Sequence, residues 1–504
     1  SRRYEDMGAV FFDVDRDGEL ALYVASGGYE HEPNSIDLRD RLYLNDGSGG
    51  FAPAPSEQLP DTRVPGSSVS AADFDRDGDL DLFVGTRFRA HQWPLAATSR
   101  LLRNDNGTLV DASSELAKPL DEIGLVTGSV WSDVDQDGWI DLLLTLEWGP
   151  VKVLKNEKGV LVDATAAAGT ADVSGWWNSI AGGDIDNDGD IDYVALNFGL
   201  NTKYHADKQR PVALYAGDFD KNGSLDLVEA EYEGDICYPI RGRSCSTQAM
   251  PFLKDRFPTF REFALADVIQ VYSSSSLDAS SKCSANELQS VLLINDGSGS
   301  FEVRPLPRWV QISPGFGTAL QDFNADGNLD LCIAQNFMQP QPETGQLDGG
   351  LGILLLGDGN GQFRRLTPKE SGISVPGQGM ALTVADWNDD AAPDLLMSVN
   401  DEVLHPWTNQ SLTSPTTQRF RLLLQGEAGN QHAVGGRVIV IRENEKQVHE
   451  ITAGSGYLSQ STMQLFLIND SNHPITSVTV NWPDGTEKNY PLIDKLPTCW
   501  VIKK

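Results

Sequence analysis

Nine residues from Asp73 to Asp81, DFDRDGDLD, carry carboxylates at positions 1, 3, 5, 7 and 9 and a glycine at position 6. Five acids on alternate positions repel one another unless a turn aims them at a hard cation. Oxygen ligands at 1, 3, 5 and 9, a carbonyl at 7 and a glycine for the sharp bend suit Ca²⁺. Related loops start at Asp13, Asp133, Asp184, Asp218, Asp322 and Asp386, which makes seven with Asp73.

Something must hold these loops at regular intervals. Each follows a short run of small or apolar residues, as in SVSAADFD, and precedes an apolar run such as DLDLFVGTR. Runs of that length bounded by glycine read as buried strands. Some 20 to 25 residues later most units show a second element, as in RLLRNDNGTLV and VLLINDGSGSF. Strand, Asn/Asp-Gly turn, strand is a hairpin signal. Four strands per unit at this period predict an all-β chain folded as a β-propeller.

Seven blades, one of them irregular, is the preferred count. Six blades plus an extra metal loop is the alternative, because the loops at Asp184 and Asp218 are only 34 residues apart and those at Asp218 and Asp322 are 104 apart. The propeller is expected over residues 1–405, with an irregular insertion at 235–289. After a polar linker, a small all-β domain is expected over 419–504.

The formal charge of −33 argues against nucleic acid or an anionic membrane as partner. Seven Ca²⁺ ions would bring it to about −19. No run approaches the ~20 apolar residues of a spanning helix. The chain begins at Ser1 on a charged SRRYED, so any secretion signal is expected to have been removed or to lie outside this sequence. Of the five cysteines, Cys237, Cys245 and Cys283 fall in one irregular segment where a disulfide is plausible, and Cys332 reads as a buried thiol. Sequons stand at Asn106, Asn222 and Asn409.

The repeated DxDxDGxxD loops resemble FG-GAP/VCBS repeats, the type found in integrin α-chain propellers. The tail AGNQHAVGGRVIV…QVHEITAGSGYLSQS…VTVNWPDG is similar to an ASPIC/UnbV domain. The pair resembles the ASPIC/UnbV proteins, a group that includes cartilage acidic protein and large bacterial exported proteins. It departs at 466–470, where FLIND replaces a glycine-rich turn. The resemblance implies five to seven Ca²⁺ ions, an extracellular, cell-surface or periplasmic location, and adhesion or binding.

Carried onto this chain, the ligands are Asp73, Asp75, Asp77 and Asp81; Asp133, Asp135, Asp137 and Asp141; Asp184, Asp186, Asp188 and Asp192. Asparagine replaces one carboxylate in Asp218, Asp220, Asn222 and Asp226, and in Asp322, Asn324, Asp326 and Asp330. Two sets are flawed. Asp13, Asp15 and Asp17 have Ala21 at position 9. Asp386, Asn388, Asp390 and Asp394 have Ala391 for the glycine and Pro393 before the last ligand. The ions would fasten strands; nothing beside them supplies a general base or an open water site.

A ligand is then sought on the face opposite the acidic loops, where the segments after each second strand gather. Tyr29, His31, Arg41, Arg87, Trp93, Glu147, Trp148, Trp176, Trp177, Asn197, Asn201, Tyr204 and Asn336 are the candidates. Flat apolar faces with hydrogen-bond forks suit a glycan or a protein partner. The ordinary alternative is that the tryptophans wedge neighbouring blades and the polar groups form a solvated rim. Two rival functions remain. One is a polysaccharide enzyme using acids and histidines on that face, among them His31, His91 and His205. The other is a structural subunit of a surface assembly.

Overall fold

The computed structural model describes residues 4–340, 344–443, 445–493 and 495–504. The chain is all-β. Residues 341–343, within the NFMQPQPETGQLDGG segment expected on the ligand face, lie outside the described residues.

Six antiparallel sheets follow one another. The first holds strands Glu5–Phe12, Ala21–Gly27, Arg41–Asn45 and Phe51–Pro53; the second, Gly66–Ala72, Asp81–Thr86, Arg100–Asn104 and Leu109–Asp111. The third is built on Leu125–Ser132, Asp141–Pro150, Lys152–Asn156 and Leu161–Asp163. The fourth uses Ser179–Gly183, Asp192–Leu196, Val291–Asn295 and Phe301–Pro305. The fifth uses Gly315–Gln321, Asp330–Gln335, Ile353–Gly357 and Phe363–Arg365, and the sixth Gly379–Ala385, Asp394–Val399 and His405–Trp407.

The first strands of successive sheets pack side by side. Their small residues follow from that crowding. All seven residues of GSSVSAA in the second sheet are buried. A Cβ on Gly8 would collide with the Ser67 carbonyl, and one on Gly317 with Met380, so each glycine permits the close approach of the next sheet.

The loop at Asp218 stands apart. It joins Val212–Gly217 to Asp226–Glu233 in a separate sheet completed by Ile236–Pro239 and Ser281–Ala285. That sheet and several short helices lie between the second and third strands of the fourth sheet. The irregular excursion therefore runs from Leu196 to Val291, longer than 235–289. The acidic loops are six in series plus one on the insertion, rather than seven equivalent units.

The tail forms two sheets. Thr417–Gln425 lies between Leu465–Asp470 and a parallel Cys499–Lys503; Glu445–Glu450, Arg437–Arg442, Ser477–Asn481 and Glu487–Pro491 form the other. FLIND is an ordinary part of Leu465–Asp470. Val438, Val440 and Val480 share one buried cluster with Val10, Phe12 and Leu82 of the repeats, so the tail is packed onto the array.

Cys237, Cys283, Cys332 and Cys499 are free thiols. Cys237 and Cys283 lie on opposite edge strands of the inserted sheet, which is why that pair does not meet.

Candidate metal loops and a candidate ligand cavity

In each intact loop the bend is made by glycine at position 6 with positive φ, Gly78 at 94° and Gly189 at 99°. Residue 4 also takes the left-handed conformation, as in Arg76 at 61° and Asn187 at 59°. Two successive left-handed bends turn the carboxylates inward. Oxygens of Asp73, Asp75 and Asp81 lie within 4.8 Å of one another, as do those of Asp133, Asp135 and Asp141, and of Asp184, Asp186 and Asp188. The same holds for Asp13, Asp15 and Asp17, and for Asp218, Asp220 and Asp226.

The electrostatics of these clusters are unfavourable without a cation. Burial, then the repulsion of Asp77 and Asp75, pushes Asp73 up to about 7. Burial raises Asp141 to about 8 and Asp184 to about 7. Oδ1 of Asp73, of Asp133 and of Asp186 is buried with no hydrogen-bond partner. An all-oxygen donor set with orphaned buried oxygens fits Ca²⁺. Bound there, the ion would supply charge neutralisation and a bridge between loop segments.

The fit is uneven. The ammonium of Lys155 bonds Asp135 and lies 3.3 Å from Asp137, so the Asp133 loop already has a cation beside it. The Asp386 loop fits poorly. Arg421 of the tail places Nε 3.3 Å from the buried Asp386 carboxylate and Nη2 3.1 Å from Asp389. Its guanidinium supplies the positive charge that the damaged loop needs.

The carboxylate at position 9 has a second task. Asp81 accepts from the backbone N–H of Phe74 at 3.2 Å and of Asn104 at 2.8 Å. Asp141 accepts in the same way from Val134 and Asn156, and Asp192 from Ile185 and Asn295. Each ties its own loop to the third strand. The side chain of that asparagine then crosses to the preceding sheet, Asn156 to Phe74 O at 2.8 Å and Asn295 to Val134 O at 2.8 Å.

A further contact links residue 4 of one loop to residue 7 of the next. Arg16 bonds Asp79, Gln136 bonds Asp190, and Asn187 donates to Asn328 at 3.1 Å. Arg76 lies 4.1 Å over the Trp139 ring in the corresponding place. The tail settles on this face. Val448 N–H donates to Asp184 at 2.9 Å, and Asp133 N–H to half-buried Glu450 at 3.2 Å.

From the tail, segment 453–462 runs in among the first strands. Ala453 bridges Ala71, Gly456 N–H donates to Ile180 O at 2.9 Å, and Ser455 bridges Ser459 to close a hairpin. On the return, Gln460 accepts from Phe11 N–H at 2.8 Å and donates to Phe11 O at 3.1 Å. Ser461 accepts from Val384 N–H at 3.1 Å, and Thr462 N–H donates to Val384 O at 3.0 Å. The hairpin thus touches both the first and the sixth sheet.

At the far end lies a cavity of about 440 Å³. Arg87, Trp93, Glu147, Trp148, Trp176 and Tyr204, six of the expected residues, line it. Trp176 is the hub. Its ring centroid lies 4.8 Å from those of Trp148, Phe198 and Tyr204, all edge-on. Arg87 pairs with Glu147 at 2.8 Å, and Arg241 with Glu229 at 3.4 Å.

The other candidates lie elsewhere. Trp177 is fully buried in the cluster joining the third and fourth sheets, since consecutive residues of an extended chain face opposite ways. Asn197 and Asn336 are buried braces: Asn197 accepts from Trp176 N–H at 3.1 Å, and Asn336 donates to Gly350 O at 3.0 Å. Asn201 donates to Ile312 O at 3.1 Å. Tyr29 packs edge-on to Phe88 and His91, and His31 sits beside Gly28 on the same rim. Arg41 pairs with Asp6 at 2.6 Å. Sequence reasoning missed Phe316, Met380 and Tyr457 in the cavity wall. Phe316 and Met380 lie in the first strands of the fifth and sixth sheets. Tyr457 belongs to the tail, and nothing in its local sequence points to the repeats.

The FG-GAP-like repeat family model matches residues 13–84, 133–195 and 322–397, and the ASPIC and UnbV model matches 426–495. No curated protein matches the chain. Among solved structures, the exotype rhamnogalacturonan lyase YesX is 11% identical over 91% of this chain and 73% of its own, with a TM-score of 0.35. BBS1N in complex with ARL6DN is 10% identical over 90% and 93%, with a TM-score of 0.34. Trypanosoma rangeli sialidase in complex with the inhibitor DANA is 10% identical over 80% and 54%, with a TM-score of 0.33. Likenesses this distant carry no functional argument. Among the described residues no helix is long and apolar enough to cross a membrane. The chain is an FG-GAP-repeat protein with a C-terminal ASPIC and UnbV domain.

Proposed function

We propose that this chain is an exported, calcium-stabilised, six-bladed propeller that binds a glycan or protein partner in the cavity opposite its acidic loops. The observation that carries this reading is the convergence of Arg87, Trp93, Glu147, Trp148, Trp176 and Tyr204 on one cavity. Glu147, Trp148 and Trp176 belong to the third sheet, Arg87 and Trp93 to the segment after Asp81–Thr86, and Tyr204 to the segment after Asp192–Leu196, so only the fold brings them together. The cavity's size and its mix of aromatic walls with few polar groups are those of ligand sites.

Closure of the ring is supported by the hairpin of the tail, which bonds Phe11 of the first sheet and Val384 of the sixth. In this reading the six serial loops form one face held by Ca²⁺ and arginine, and the tail covers that face. Arginine pairs with both Glu147 and Glu229, which favours holding a ligand over acid–base chemistry.

The test is a glycan array and a panel of extracellular proteins probed with the calcium-loaded chain and with Trp148→Ala. Binding by the parent that the variant loses by tenfold or more is the expected result. Binding that Trp148→Ala leaves unchanged places the ligand elsewhere, and absence of any ligand from both collections sinks the reading.

A further inference from the structure

The hairpin of the tail carries Tyr457 at its tip, between Gly456 and Leu458, both with positive φ. Its ring lies 5.3 Å from that of Phe316, at the cavity end of the fifth sheet. Tyr457 lines the cavity, beside Arg87 and Glu147, whose charges it feels. Its hydroxyl makes no hydrogen bond among the described residues, although its neighbours are paired. A phenol both donates and accepts, so this group, with the partnerless Nε1 of Trp176, is an uncommitted polar contact of the cavity.

We infer that the cavity is a shared site for an uncharged oligosaccharide, with Tyr457 of the C-terminal domain as a ligand-contacting residue alongside Trp148 and Tyr204 of the repeats. The inference rests on the binding reading above and adds the ligand class and a second domain.

Charge selects the class. Arg87 is cancelled by Glu147 and Arg241 by Glu229, so neither an anion nor a cation finds a free partner. The whole chain carries −33, which repels polyanions such as uronic-acid polymers. Shape points the same way. A pyranose ring offers an apolar C–H face to an aromatic plane and hydroxyls at its edge. Trp148 and Tyr204 supply aromatic surface, and the Tyr457 hydroxyl supplies the edge contact. A peptide would call for backbone donors and acceptors in a row; Trp176, Phe316 and Met380 lie on edge strands, so a peptide added to one of them is the rival occupant that the test separates from a sugar.

The experiment is calorimetry on the full chain in saturating Ca²⁺. The probes are neutral β-glucan, mannan and xylan hexasaccharides, an oligogalacturonate, and a random peptide pool. At least one neutral hexasaccharide is expected to bind. Tyr457→Phe should weaken it about fivefold, the share of one hydrogen bond, and Trp148→Ala at least tenfold. Thermal melting checks that both variants keep the parent fold, and Tyr457→Phe retains the ring that packs on Phe316. Preference for oligogalacturonate or peptide, or no neutral binder, overturns the ligand class. Loss with Trp148→Ala but unchanged binding with Tyr457→Phe and Tyr457→Ala overturns the shared site and leaves the cavity reading standing. Binding that ignores all three variants overturns the cavity reading itself.

Discussion

The side-chain amide of Asn104 donates to the carbonyl of Val14 at 2.9 Å, joining the third strand of the second sheet to the acidic loop of the first. Asn104 also has its backbone N–H on Asp81, so one residue locks two loops. Asn409 does the same for Phe323 and Asp394. Replacing Asn104 or Asn156 by alanine orphans buried carbonyls and should cost about 1–3 kcal/mol each. Urea unfolding in Ca²⁺ measures this. Unchanged midpoints for both variants would remove the latch from the account.

Calcium removal is the second prediction. Each site held at a hundred times its Kd contributes about 2.7 kcal/mol. EGTA should therefore lower the melting temperature by many degrees, and added Ca²⁺ should restore it. Asp184→Asn should shrink the difference. A melting curve that ignores EGTA would show that these loops fold without metal.

Arg421 and Asp386 should behave as a coupled pair. With Asp386 fully buried, Arg421→Gln leaves an uncompensated charge and should cost about 3 kcal/mol. Adding Asp386→Asn should recover most of that loss. A double-mutant cycle with no coupling would mean that the guanidinium does not stand in for an ion.

His449 gives a pH dependence. Burial, then the Arg442 charge, lowers its pKa to about 4, and its Nε2 is buried without a partner. The neutral form therefore stabilises the fold fully above the unfolded value near 6.5, and that contribution is lost as pH falls towards 4. The span corresponds to on the order of 3 kcal/mol. His449→Gln should flatten this part of the stability profile in saturating Ca²⁺. Identical slopes for parent and variant would contradict it.

Gly454 tests the hairpin. A Cβ there would strike the Val69 carbonyl, and φ is +87°. Gly454→Val should lower the melting temperature and make the 452–463 segment open to proteases. Parent-like resistance would mean that the hairpin is not clamped between strands.

The acidic loops were legible because such a loop is local: its carboxylates lie within nine residues. The strand–loop–strand unit was legible for the same reason. What escaped depends on neighbours in space. The bond between Asn187 and Asn328 spans 141 residues, and neither asparagine is among the expected ligands. Trp176 and Trp177 are adjacent and alike in type, yet one lines the cavity and the other fills the core, a difference set by strand phase. The Asp218 loop has a good ligand pattern and still belongs to an inserted sheet, because local chemistry does not record which strands it will pair beside.

Gln460 bonds both backbone groups of Phe11 across 449 residues. A ribosome delivers Phe11 449 residues before Gln460. Throughout synthesis, the backbone groups of Phe11 that Gln460 will cap stay without that partner. The first sheet is thus capped late, by the ASPIC and UnbV domain, so a chain cut short before residue 460 should be a substrate for quality control even with every acidic loop intact.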